Sequence, residues 1–210
     1  MDEDLAECLL LWVQTFSVDG ERDSVQSLSD GAALSQILHE VAPSFFNEEW
    51  LSGMIAEEAS NKHLKMSKLK KVLKGVVSFY DEVMGIKIQE NKKPNLKMVV
   101  ESTNLIEMGK LLQLVLGCAV NCDNKQDYIQ AIMSMEESVQ HGVMTAIQQL
   151  MTQDSDPYSS DGDGLDVATQ LQNAMRDLAE SKQANLELSE RCRELDLQVM
   201  FSINTLSLHR

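Results

Sequence analysis

Apolar residues recur at helical spacing along most of the chain. Leu5, Leu9, Trp12, Val13 and Phe16 step by three and four, which predicts an amphipathic first helix. A turn-rich acidic segment, SVDGERDSVQSLSDG, follows it. Ser29 or Asp30 stands where it can cap a second helix through Ala33, Leu34, Ile37, Leu38 and Val41, which stops before Pro43. SFFNEEWL predicts a single helical turn packed on the core. In NKHLKMSKLKKVLKGVVSFYDEVM, Leu69, Leu73, Val76 and Tyr80 share one face, with Val72 and Val77 beside it. GIKIQENKKPNLKMVVESTN reads as loop with short helical pieces, broken at Pro94.

Asn104 with Glu107 three residues on has the spacing of a capping box. The helix it opens, to about Asn121, is apolar nearly all round and should be buried on all sides. After Asp123 and Asn124 the spacing of Ile129, Ile132, Val139, Val143, Ile147 and Leu150 predicts one continuous helix to about Thr152. At 1.5 Å per residue it would run roughly 40 Å, long for a compact domain. Met133, Gln140, Met144, Gln148 and Met151 fall on its less apolar sides and would leave a surface fit for a partner helix.

TQDSDPYSSDGDGLD has no periodicity and reads as a linker. Beyond it the period becomes a heptad. Leu171, Leu178, Asn185, Cys192 and Val199 fall at a, and Val167, Ala174, Ser181, Leu188 and Leu195 at d. Asn185 at an a position selects a two-stranded, in-register coil at some cost in stability. Asp177 at g faces Lys182 at e, and Arg191 faces Asp196, both attractive pairs in a parallel dimer. After Val199 the repeat fails. The expected organisation is therefore a helical head over 1–152, a linker over 153–165, the start of a dimeric coil over 166–200 and an atypical tail over 201–210.

Composition supports an all-α fold: 43% of residues are hydrophobic but only 5% aromatic, with three prolines and ten glycines. The formal net charge of −15 disfavours a nucleic-acid partner, which would meet repulsion at the phosphates. MDEDLAECLL opens acidic, without the basic start of a secretory signal. The longest aliphatic run, Leu111 to Val120, falls well short of the ~20 residues that cross a bilayer. Four scattered cysteines fit reduced thiols in the cytoplasm.

Candidate chemistry is sparse. Cys118 and Cys122 share a helix face, but a tetrahedral zinc site needs two more ligands, so both read as packing thiols. His39, His63 and His141 accompany no nucleophile signature, and no enzyme activity or cofactor is expected. Placing Gly164 of DGDG at loop position 6 of a calcium hand puts Gln170 where a bidentate Glu is required, so that stretch stays a linker. Lys62, Lys65, Lys68, Lys70, Lys71 and Lys74 form one basic island in an acidic chain. It is either a solvated helix face or a contact for an acidic surface, such as tubulin tails or anionic lipid.

LLLWVQTF, LSDGAALSQIL, LKKVLKGV, MGKLLQLVLGCAVNC, KQDYIQAIM and EESVQHGVMTAIQQLM occur in that order, and RCRELDLQV follows in the coil. Together they resemble the Hook family of dynein cargo adaptors, over about Leu5 to Met151 and Arg191 to Val199. The resemblance implies a calponin-homology-like bundle extended by a long last helix. It also implies a cytoplasmic, microtubule-associated adaptor that links dynein–dynactin to cargo. In the family the head binds an amphipathic helix from the tail of the dynein light intermediate chain. Matched by motif, Gln140 and Ile147 carry that contact, with Ile132, Met133, Val139 and Met144 as neighbours. The competing function is a head that docks directly on microtubules through Lys65, Lys68, Lys70, Lys71 and Lys74. Three departures from the family stand out: Gly142 in place of a usual Val beside the proposed groove, Lys62 in place of a usual Trp, and the unmatched FSINTLSLHR. That last stretch suggests a truncated or alternatively spliced end.

Overall fold

The structure, a computed structural model, describes residues 1–56, 61–152, 184, 187–191 and 193. Met1–Ala168 and Thr169–Arg210 are separate units. In the first, the described residues form nine α-helices and one 3₁₀ turn, and no strand occurs among them. The helices are α1 (Glu3–Val13), α2 (Val25–Leu28), α3 (Ala32–Val41), α4 (Glu48–Ile55), α5 (Lys62–Glu82), α6 (Leu96–Ser102), α7 (Leu105–Asn121), α8 (Lys125–Met133) and α9 (Glu137–Thr152). The all-helical class agrees with the composition and the periodicity.

Caps set most of the starts. Asp2 accepts from the Leu5 N–H at 2.9 Å, Asn47 from Trp50 at 2.9 Å and Asn61 from Leu64 at 2.9 Å. α3 begins one residue later than a cap at Asp30 would place it. Gly31, at φ +76°, is its N-terminal flank, and Asp30 Oδ1 accepts from the Ala32 N–H at 2.8 Å. Ser29 is not a cap for this helix; its hydroxyl donates to the Gln26 carbonyl at 2.7 Å. SFFNEEWL yields the two-turn α4 rather than a single turn, because Asn47 caps it and Glu48 and Glu49 favour its first turn.

The Asn104–Glu107 capping box is half made. Asn104 Oδ1 accepts from the Glu107 N–H at 2.9 Å. The Glu107 carboxylate reaches away instead, accepting from the Asn95 N–H at 2.6 Å and from Lys110 Nζ at 2.8 Å. It thereby ties the start of α7 to the start of α6.

α7 is the hub. It packs against α1, α3, α5, α6, α8 and α9, and Met108, Gly109 and nearly all of Leu111–Val120 are buried. Close approach needs glycine on both sides of α1. A Cβ on Gly109 of α7 would fall 2.6 Å from Ala6 Cβ. A Cβ on Gly142 of α9 would fall 2.4 Å from Cys8 Sγ and 2.7 Å from Cys8 Cβ. The first helix therefore lies in a seam between α7 and α9 that admits no larger side chain without displacement. No single helix among the described residues is long and apolar enough to cross a membrane.

In the second unit the described residues are helical, and Leu188 is 63% exposed. Leu171, Leu178, Asn185, Cys192, Leu195 and Val199 lie outside the described residues, as do the linker and DGDG.

Candidate functional site

The expected continuous last helix is two helices. α8 ends at Met133 and is capped by Ser134, whose N–H bonds to the Gln130 and Ala131 carbonyls at 3.1 Å and whose hydroxyl donates to the Gln130 carbonyl at 2.8 Å. α9 restarts at Glu137, with the Glu136 carbonyl accepting from the Gln140 N–H at 2.8 Å. The apolar period runs through both helices, so periodicity alone does not register the break. Ser134-x-x-Glu137 has the spacing of a capping box, but Ser134 does not cap α9: its hydroxyl bonds back to α8, and the helix begins only at Glu137.

Both helices are fastened to the bundle. Tyr128 of α8 stacks on Phe16 at a centroid distance of 5.6 Å, and its hydroxyl donates to the Glu40 carbonyl at 3.2 Å. Burial, with the nearby Glu40 carboxylate, pushes the Tyr128 phenol up to about 12. α9 packs on α1 and α7 through Val139, Gln140, Val143, Met144, Ala146, Ile147 and Leu150, spacings that make one face. Gln113 of α7 donates to the Ala146 carbonyl at 2.8 Å, and Lys92 reaches the Leu150 carbonyl at 3.5 Å.

The motif-matched partner residues are therefore together, but turned inward. Ile132, Val139, Met144 and Ile147 are buried, Ile147 to 1% exposure, and Met133 is half-buried. Gln140 is 4% exposed, and its Nε2 has no hydrogen-bond partner among the described residues. Gln140 and Met144 belong to the core side of α9 rather than to its surface, whereas Gln148 is exposed. Gly142 faces α1 at Cys8, not a groove, so its missing side chain is explained by close packing.

The basic island divides. Lys68 is buried and Lys65 donates to the Ser29 hydroxyl at 3.0 Å, while Lys62, Lys70, Lys71 and Lys74 are exposed. Lys65 and Lys68 thus serve the packing of α5, and three of the five lysines offered for a direct microtubule contact face solvent.

Cys118 and Cys122 are free and buried. Burial raises the Cys118 thiol well above its ordinary value, and burial likewise raises Cys122, whose thiol donates to the Ala119 carbonyl at 3.2 Å. Such thiols stay protonated and pack as small hydrophobes. Among the described residues no three His, Cys, Asp or Glu side chains cluster as a metal site. The helical periodicity does not mark the aromatic groove between α4 and α5, where Phe46 and Trp50 meet Gly75. Its signal is the FF pair four residues before Trp50.

These features define an all-α head domain closed by two short terminal helices over a buried, amide-bearing apolar face. Residues 4–149 match the HOOK domain family. The chain is 45% identical to Protein Hook homolog 3 of Homo sapiens and 46% identical to Protein Hook homolog of Branchiostoma floridae, each across 93% of this chain. It spans 27% of the length of those two relatives. The solution structure of the conserved domain of HOOK1 protein from mouse superposes with a TM-score of 0.69 at 44% identity, covering 76% of this chain and 95% of that one. The chain belongs to the Hook family.

Proposed function

We propose that this chain is a cytoskeletal adaptor segment whose head captures the amphipathic tail helix of the dynein light intermediate chain, and so joins dynein–dynactin to cargo on microtubules. It acts in the cytoplasm as a binding module, not as an enzyme. The observation that carries the reading is Gln140. A buried amide donor without a partner costs about 1–3 kcal/mol, and such a group is retained where another state uses it. In the state described here, α8 and α9 close over the face that a partner would need.

The opening motion has a physical route. Residues 134–136 contain neither Pro nor Gly, so nothing in their covalent structure forbids a continuous helix. Straightened, α8 and α9 would form one rod of about 42 Å. Ile132, Met133, Val139, Met144 and Ile147 would then offer an apolar stripe, and Gln140 a donor and an acceptor to the partner's polar groups. Leu188, exposed on its own helix, suits a heptad position that pairs two copies of the chain.

The test is capture of the light-intermediate-chain tail by wild type, Gln140→Ala and Ile147→Ala, each first shown to be folded by circular dichroism. Weaker capture by both variants supports the assignment. Full capture by both defeats it.

A further inference from the structure

α8 is held to the head at few points. Of its nine residues only Ile129 and Ile132 are buried, and Asn124 gives its first turn no side-chain cap. Among the described residues, its one hydrogen bond to an element distant in sequence runs from the Tyr128 hydroxyl to the Glu40 carbonyl, near the end of α3, at 3.2 Å. The Tyr128 ring stacks on Phe16 at 5.6 Å, and Phe16 in turn meets the buried Trp12 edge-on at 5.1 Å. Tyr128 is thus the clasp that joins α8 to the aromatic pair at the end of α1.

The clasp carries its reactive atom on the outside. The Tyr128 side chain is half-buried, with its ring on Phe16 and its hydroxyl at the surface. The carboxylates of Glu40 and Asp127 both bear on that hydroxyl. Tyr80 differs: it is buried, and its hydroxyl donates to the Leu114 carbonyl at 3.1 Å inside the bundle.

We propose that Tyr128 is a phosphorylation site, and that a phosphate there releases α8 from the head. In the transfer, the phenol oxygen attacks the γ-phosphorus of a nucleoside triphosphate held by a protein-tyrosine kinase. The new Oη–P bond forms, the bond to the leaving nucleoside diphosphate breaks, and the phenolic proton passes to the kinase's base. The ester oxygen then has no hydrogen to donate, so it would meet the Glu40 carbonyl acceptor to acceptor. The phosphate also brings about −1.5 to −2 charges at pH 7 beside Glu40 and Asp127, where like charge repels it. While the ring lies on Phe16 it cannot also enter a kinase site, so the kinase acts on released α8 and the phosphate opposes its return. Release of α8 bears on capture of the light-intermediate-chain tail only through the reading proposed above, in which the opened form binds.

The test compares the full chain carrying genetically encoded phosphotyrosine at position 128 with the unmodified chain and with Tyr128→Phe. Hydrogen exchange across α8, followed by mass spectrometry, reads the release and needs no partner. Exchange roughly tenfold faster in the phosphorylated chain, restored by a tyrosine phosphatase, is expected. Tyr128→Phe keeps a ring for Phe16 and adds no charge, so its exchange should rise much less. A purified kinase chosen because it phosphorylates the free peptide of residues 122–134 should also label Tyr128 in the folded chain, more slowly. The proposal is overturned by unchanged exchange in the phosphorylated chain, by equal exchange in Tyr128→Phe, or by a folded chain that this kinase leaves unlabelled at Tyr128. Faster exchange with unchanged affinity for the tail peptide upholds Tyr128 as the release site and tells instead against the opened form as the binding state.

Discussion

Proline at position 137 separates the closed head from an opened one. Glu137 is the first residue of α9, and the preceding Glu136 is outside the helix. Proline is well tolerated at a first helical position, where its fixed φ suits the helix and its missing N–H has no intrahelical partner. The closed form should therefore accept the proline backbone of Glu137→Pro and lose only what the Glu137 side chain contributes. In a continuous helix from 125 to 152, the same residue would be interior. There it would forfeit the bond to the Met133 carbonyl and clash with it, at a cost of about 3 kcal/mol or more. Every 1.4 kcal/mol is a factor of ten, so the opened population falls roughly a hundredfold. If the partner helix binds only the opened form, its apparent affinity falls by the same factor. Isothermal titration with the light-intermediate-chain tail peptide measures the affinity, and a thermal melt by circular dichroism checks the fold. Wild-type affinity in a normally folded Glu137→Pro protein would refute a straightened α8–α9 as the binding state.

Three further outcomes follow from packing and charge. Gly142→Val should destabilise the head by about 1–2 kcal/mol in urea unfolding. Cys8→Ala should not relieve it, because Cys8 Cβ itself lies 2.7 Å from the added carbon; stabilisation by Gly142→Val would contradict the seam. Thr103, which caps α6, is a β-branched residue at φ +48°. Thr103→Gly should remove that strain and raise the melting temperature by about 2–4 °C. Burial opposes ionisation of Glu107, but the Asn95 N–H and the Lys110 ammonium outweigh it and hold the carboxyl below its usual range. Its contribution is therefore complete above the unfolded carboxylate range and disappears as pH falls through the lower folded value. Stability measured from pH 7 down to pH 3 should accordingly decline less steeply in Glu107→Gln than in wild type.

The parts of the fold that were legible are those where local pattern and final burial coincide. α1, α3, α5 and α7 each carry apolar residues at helical spacing, and each buries that face. The break between α8 and α9 was hidden because the apolar period continues through residues 134–136, which contain no Pro or Gly. Its cause is tertiary: Tyr128 ties α8 to Phe16 and Glu40, while α9 lies along α1. The same non-local contacts explain why Gln140 and Met144 look like surface positions in the sequence. A polar or flexible residue at the margin of an apolar stripe has no local mark of burial, and α1 is more than a hundred residues away. Lys68 is similar, since its spacing matches that of the exposed lysines around it. Gly142 was legible as an oddity but not as a contact, because Cys8 is distant in sequence and adjacent in space.

The seam that holds α1 between α7 and α9 also has a consequence during synthesis. Leu5, Leu9, Trp12 and Val13 are made more than a hundred residues before α9, and they find their full cover only when α9 has been translated. At roughly 5–20 residues per second, the nascent first helix waits on the order of 7–28 s with its apolar face uncovered. The head should thus stay bound to ribosome-associated chaperones until its last helix emerges, and messages cut short within α9 should yield chains that the cell's quality control removes.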